Sequence, residues 1–178
     1  YLEMQLDQFE NVIQHSERAM EFYPNQAMLY YFNGIAYQRK KKNKEAISSL
    51  EQAKKLSTAN PGMISEINGL LGDAYNAVKD YEKSDKAYEE ALTFNPNNDA
   101  VLNNYSYYLS LRKSNLEKAE KMSTLLIKNN PENATFLDTH AWVLYTRQKY
   151  REAKKVMEKA IGTGLANATH FEHYGDIL

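Results

Sequence analysis

Small side chains recur along this chain at a nearly fixed step. Gly34, Gly72, Ser106, Ala141 and Gly175 stand 38, 34, 35 and 34 residues apart. A second column follows twelve or thirteen residues behind the first four, at Ala46, Ser84, Ala119 and Ala153, and a third comes seven residues later, at Ala53, Ala91, Leu126 and Ala160. Pro closes the unit five residues further on at Pro96 and Pro131, and Ala19 to Pro24 keeps the same step. Two departures stand out: Ala53 to Pro61 is lengthened by three residues, and Leu165 stands where the last unit would carry Pro. Columns that stay in register over a whole chain restrict it to stacked copies of one supersecondary unit.

The stretch from Ser65 to Pro96 shows what that unit is. Asn68, Leu71, Gly72 and Tyr75 fall at i, i+3, i+4 and i+7, one stripe of an α-helix. Gly in a helix interior costs about 1 kcal/mol against Ala, so Gly72 marks the close approach of a second helix rather than a local preference. After Lys79-Asp80 a second stripe runs Tyr81, Ser84, Tyr88 and Ala91, and Asn95-Pro96 stops it, because Pro cannot continue the hydrogen-bond ladder. Applied to the whole chain, the pattern predicts helices over 7–22, 26–40, 43–57, 62–78, 81–94, 98–112, 115–129, 133–147, 150–162 and 168–178. Links of only a few residues make successive helices antiparallel neighbours. Asn25, Asn97 and Asn133 are the expected N-caps after each Pro, and Gly162-Thr163-Gly164 is a helix stop.

At these residues the chain resembles the tetratricopeptide repeat family, whose motif places an aromatic, Leu-Gly and Tyr on the first helix of a pair and Ala, an aromatic or Leu, Ala and Pro on the second. Leu71-Gly72, Tyr75, Tyr88, Ala91 and Pro96 match in one repeat; Tyr30, Gly34, Tyr37, Ala46, Leu50 and Ala53 match in the one before. Ser106 and Leu109 replace Gly and Tyr in the third, and His140-Ala141 replaces Leu-Gly in the fourth. The resemblance implies an all-α fold, a right-handed α-solenoid of antiparallel helix hairpins forming one domain over 1–178. Its repeats would be 27–61, 65–96, 99–131 and 134–165, with 1–24 the second helix of a truncated repeat and 168–178 a lone first helix. A lone first helix ending on Phe171, Tyr174 and Leu178 leaves a seam without its second helix, so a piece of a longer array, or ends that self-associate, is expected.

The resemblance also implies that ligands lie along the concave surface lined by first helices. The side chains that leave the seam on that side are Tyr31, Ile35, Gln38, Asp73, Asn76, Asn103, Asn104, Tyr107, Asp138, Trp142 and Tyr145. Aromatic rings there offer flat contact area and the amides can bond a peptide backbone. Family members that capture an acidic C-terminus use Lys and Arg on these helices; the matching positions here are Tyr31, Glu66, Asn103, Asn104 and Asp138, so a carboxylate clamp is not expected.

Composition excludes several other functions. A net charge of −1 with 25% charged residues gives no global attraction to nucleic acid or to an anionic membrane. Zero Cys rules out disulfides and thiol chemistry, and no apolar run reaches the roughly 20 residues a membrane span needs. The basic run Arg39 to Lys44 reads as a solvated turn, and His140 as a satisfied core histidine. His170 and His173 are three apart with no third ligand near, so no metal and no cofactor are expected. Asn104-Tyr105-Ser106, Asn133-Ala134-Thr135 and Asn167-Ala168-Thr169 fit the glycosylation acceptor pattern, which bears only on a eukaryotic secreted protein.

No phosphate loop, nucleophile elbow or metalloprotease spacing occurs. The function expected is therefore a non-enzymatic scaffold that holds a protein or peptide partner, an extended segment or a helix, in the first-helix groove. Two other readings stay open: a docking arm of a larger enzyme or sensor, and a glycan-binding or other small-ligand module of an exported bacterial protein. Abundant Asn, Lys and Tyr without Cys point to an AT-rich bacterial genome, and an exported or periplasmic location is slightly favoured over a cytoplasmic one.

Overall fold

The structure is a computed structural model that describes residues 2–57 and 60–178, with side chains from residue 4 onward. The described residues form eleven α-helices and no strand. The second helices of the repeats are α2 (Phe9–Phe22), α4 (Asn43–Leu56), α6 (Tyr81–Phe94), α8 (Leu116–Asn129) and α10 (Tyr150–Gly162). The first helices are α3 (Ala27–Arg39), α5 (Pro61–Ala77), α7 (Asp99–Leu111), α9 (Ala134–Thr146) and α11 (Ala168–Ile177). A short helix, α1 (Leu2–Gln5), precedes them. The expected helix over 7–22 begins instead at Phe9, because Asp7 sits at φ 54, a left-handed conformation that no α-helix continues through. The lengthened link after Ala53 includes residues 58–59, which lie outside the described residues.

The hairpin turns share a device that the sequence conceals. Lys41, Lys79, Lys113 and Gln148 stand at φ 58, 63, 50 and 64, each seven residues after its small-residue column. The amide that follows each turns back onto the first helix: Lys42 N–H to Tyr37 O at 2.9 Å, Asp80 to Tyr75 at 2.9 Å, Ser114 to Leu109 at 3.0 Å and Lys149 to Leu144 at 2.9 Å. These six-to-one bonds satisfy end carbonyls of the first helix, the task usually given to Gly.

Caps are distributed differently from expectation. Asn133 does cap α9, accepting from Phe136 N–H at 3.1 Å, but Asn25 does not cap α3: Gln26 holds that position, without a side-chain bond. Asn97 lies ahead of α7 in a turn, its own N–H bonded to Asn95 Oδ1 at 3.2 Å. Asn60 and Asp80 cap α5 and α6, and Asn167 forms a capping box with His170 on α11.

The chain forms two compact units, residues 1–98 with α1 to α6 and residues 99–178 with α7 to α11. In the first, α3 pairs with α4 and α5 with α6, while α2 packs on α3 and α4 on α5. The small columns are the seam: a Cβ on Gly34 would stand 2.6 Å from Leu50 Cγ, and one on Gly72 would stand 2.5 Å from Tyr88 Cε1. Ser84 Oγ donates to Gly72 O at 2.8 Å across the same contact, and Ala46, Ala53 and Ala91 are fully buried beside it. Asn33 links three helices, donating to Ser16 Oγ at 2.8 Å and accepting from Ser49 Oγ at 2.6 Å.

In the second unit α7 pairs with α8 and α9 with α10, α8 packs on α9, and α9 also touches α7 and α11. Ala119, Leu126, Ala141, Ala153, Met157 and Ala160 are fully buried. His140 is the core histidine expected: its Nδ1 lies 2.8 Å from Ser123 Oγ, and burial pushes its pKa down. The seam face of α11 departs from the others. Nothing stands within 4 Å of a Cβ on Gly175, while Phe171 is 55% and Leu178 71% exposed. His170, His173 and Ile177 make the buried face of α11 instead, because α9 and α10 pack against that side.

Candidate functional site

Within residues 1–98 the candidate side chains lie on α3 and α5 and are half-buried. Tyr31 Oη donates to Glu66 Oε2 at 3.1 Å and Gln38 Nε2 to Leu70 O at 3.3 Å, so two of the five already tie the first helices to each other. Burial and the neighbouring Glu66 carboxylate push the Tyr31 hydroxyl up to about 12. Asp73 accepts from Tyr88 Oη, a bond from the second helix to the first. Ile35 and Asn76 complete this group.

Within residues 99–178 the candidates converge. Asn103, Asn104 and Tyr107 come from α7, and Asp138, Trp142 and Tyr145 from α9, which packs on it. Trp142 and Tyr145 lie with ring centroids 5.2 Å apart, and Asn103 Nδ2 donates to Asn104 Oδ1 at 3.1 Å. The residue at the centre is one the candidate set omitted. His173 of α11 stacks on Trp142 at 4.2 Å and 23°, lies 6.3 Å from Tyr107, and places Nδ1 2.9 Å and 3.1 Å from the two Asp138 oxygens. His173 stands two residues before Gly175, the same offset at which Asn104 precedes Ser106.

That arrangement changes the part assigned to Asp138. At 7% exposure it is turned to His173 rather than to solvent, and it acts on the face through charge and by fixing α11. Its hydrogen bond holds the His173 pKa above the ordinary value, with Asp176 and Glu172 adding to the effect. Tyr107 is pushed up by burial, and then by the negative charge of Asp138 and Glu172. His170 caps the helix while His173 binds the Asp138 carboxylate. No group of three metal-binding side chains occurs among the described residues.

Two polar atoms in this cluster make no hydrogen bond within the chain although both are shielded from water: Asn103 Oδ1 and Trp142 Nε1. A buried donor or acceptor left without a partner costs about 1–3 kcal/mol.

A family model described as tetratricopeptide repeat matches residues 28–60 and 65–98, the two hairpins whose glycines are pressed against Leu50 and Tyr88. Residues 28–60 and 65–98 are tetratricopeptide repeats. A chloroplastic tetratricopeptide repeat domain-containing protein of Arabidopsis thaliana, PYG7, is 39% identical over 72 residues, 40% of this chain, and the chain spans 23% of that relative's length. Among solved structures, YrrB superposes with a TM-score of 0.75 at 18% identity, over 98% of this chain and 87% of its own. It is described as a tetratricopeptide repeat protein with an unusual peptide-binding site. A tetratricopeptide repeat protein of Parabacteroides merdae gives 0.78 at 19% identity, over 99% of this chain and 68% of its own. At these identities the likeness shows the fold, and it extends the repeat architecture to the hairpins after residue 98. No helix among the described residues is long and apolar enough to cross a membrane.

Proposed function

We propose that this chain is a non-enzymatic scaffold for a protein partner, and that the unit of residues 99–178 holds an extended peptide or a partner helix across α7, α9 and α11. The fold supports the first part: paired helices lay their first members side by side and leave one face of them uncovered by second helices. The observation that carries the second part is the cluster of Tyr107, Trp142 and Tyr145 beside Asn103 and Asn104, with Asn103 Oδ1 and Trp142 Nε1 unpartnered. An extended segment offers one N–H and one C=O per residue, the complements of those two atoms. Half-buried rings add contact area at low entropic cost. The peptide-binding site described for YrrB favours the same reading.

The test is capture on a peptide array by the purified chain and by the Trp142→Ala, Tyr107→Ala double variant, with helicity checked by circular dichroism. Binding that weakens on the ring-deleted protein supports the reading. If every detected event survives unchanged, the face is not the binding surface.

A further inference from the structure

The first and second helices of residues 99–178 differ sharply in charge. The helices α7, α9 and α11 carry Asp99, Asp138, Glu172 and Asp176 and no Lys or Arg. The helices behind them, α8 and α10, carry seven Lys and Arg side chains. Those two helices also carry Glu117, Glu120, Glu152 and Glu158, so the second helices are mixed in charge with a basic excess while the first helices are acidic without a Lys or Arg. Three of the four carboxylates belong to the ring cluster: Asp138 contacts His173, Glu172 acts electrostatically on both Tyr107 and His173, and Asp176 acts on His173. Glu172 and Asp176 are one helical turn apart on α11 and exposed, so neither is consumed by burial.

We infer that the partner seated on this face is basic, an extended segment whose Lys or Arg side chains lie among the rings of Tyr107, Trp142 and Tyr145 and against the carboxylates of Glu172 and Asp176. The inference rests on the peptide-scaffold reading and adds the chemistry of the occupant. A cation is attracted to the face of an aromatic ring by its quadrupole, and carboxylates on low-dielectric walls raise its local concentration further. An acidic segment would meet the same carboxylates as repulsion, which gives selection by exclusion as well as by attraction. The Lys and Arg side chains of α8 and α10, being on the second helices, do not compete for the carboxylates of this face.

Trp142 is the single Trp of the chain, so its fluorescence reports on this face alone. The experiment titrates the intact protein with three peptides of one length on one Ala/Pro framework, carrying Lys, Glu or Gln at the same positions. The expected result is a saturable change in Trp142 emission with the Lys peptide, weakened by added salt, and absent or much weaker with Glu. Glu172→Gln with Asp176→Asn should lower the affinity for the Lys peptide by roughly fivefold or more. Lys154→Gln with Lys155→Gln, on the helix behind, should leave it unchanged. Equal binding of the Gln or Glu peptide, indifferent to the carboxylate variant, overturns the basic partner while keeping the peptide face. No emission change with any of the three overturns the basic partner as well, and the array comparison of wild type with the ring-deleted protein then decides the peptide face separately.

Discussion

The imidazole of His173 rests on the indole of Trp142, 4.2 Å between centroids, while its Nδ1 meets Asp138 at 2.9 Å. One side chain of α11 thereby anchors the last helix to α9 and positions the largest ring of the candidate face.

That anchor is sensitive to pH, in the opposite sense to His140. His173 binds its proton more tightly folded than unfolded, where the ordinary value is 6.5, so its contribution is complete below 6.5 and disappears as pH rises through the raised value. His140 is held neutral by burial, so stability is lost as pH falls below 6.5 and the unfolded chain takes up the proton the folded one refuses. Thermal melts across pH should show His173→Gln flattening the alkaline-side decline and His140→Gln flattening the acid-side one. Unchanged slopes would mean that these histidines are not coupled to folding.

The seam makes a packing prediction. Ala91 and Ala119 are fully buried between helices, and replacing either with Leu should overpack the contact and cost about 1–3 kcal/mol in urea unfolding. Ala77→Leu, at an exposed position near the end of α5, is the control and should change stability by less than about 0.5 kcal/mol. A neutral result at Ala91 and Ala119 would place the seam on the wrong face.

Two glycines of the same column should respond with opposite signs. Gly72→Ala drives a methyl into the ring of Tyr88 and should destabilise by about 1–3 kcal/mol. Gly175→Ala meets nothing within 4 Å and should stabilise α11 by about 0.5–1 kcal/mol through helix propensity, read as slower amide exchange in that helix.

Asn68 is fully buried on α5, and neither its Oδ1 nor its Nδ2 has a partner. Asn68→Leu should raise stability by about 1 kcal/mol, seen as a higher urea midpoint at unchanged slope. A lower midpoint would mean that the amide is satisfied in solution.

Most of the helical architecture was legible because it depends on residue volume at fixed intervals. Gly34, Gly72, Ala119 and Ala153 are small where another helix lies against them, and volume is a property of the residue itself. Chain reversal after each first helix was harder to read. Lys41, Lys79, Lys113 and Gln148 occupy left-handed geometry that favours Gly, and hairpin packing imposes it on residues without that preference. The exposed Phe171 and Leu178 could be placed on the α11 seam in advance, but which face of α11 would be buried depended on which helices lay against it.

The candidate face divides in the same way. That Asn103, Tyr107, Asp138 and Trp142 share one side of the first helices follows from helical period alone, and sequence determined it. That Asp138 turns inward to His173, 35 residues away, and that Trp142 stacks on that histidine, only the tertiary structure decided. Periodicity fixes the direction in which a Cβ leaves its helix; the partner a polar side chain chooses depends on atoms brought together by packing, which no interval along the chain encodes.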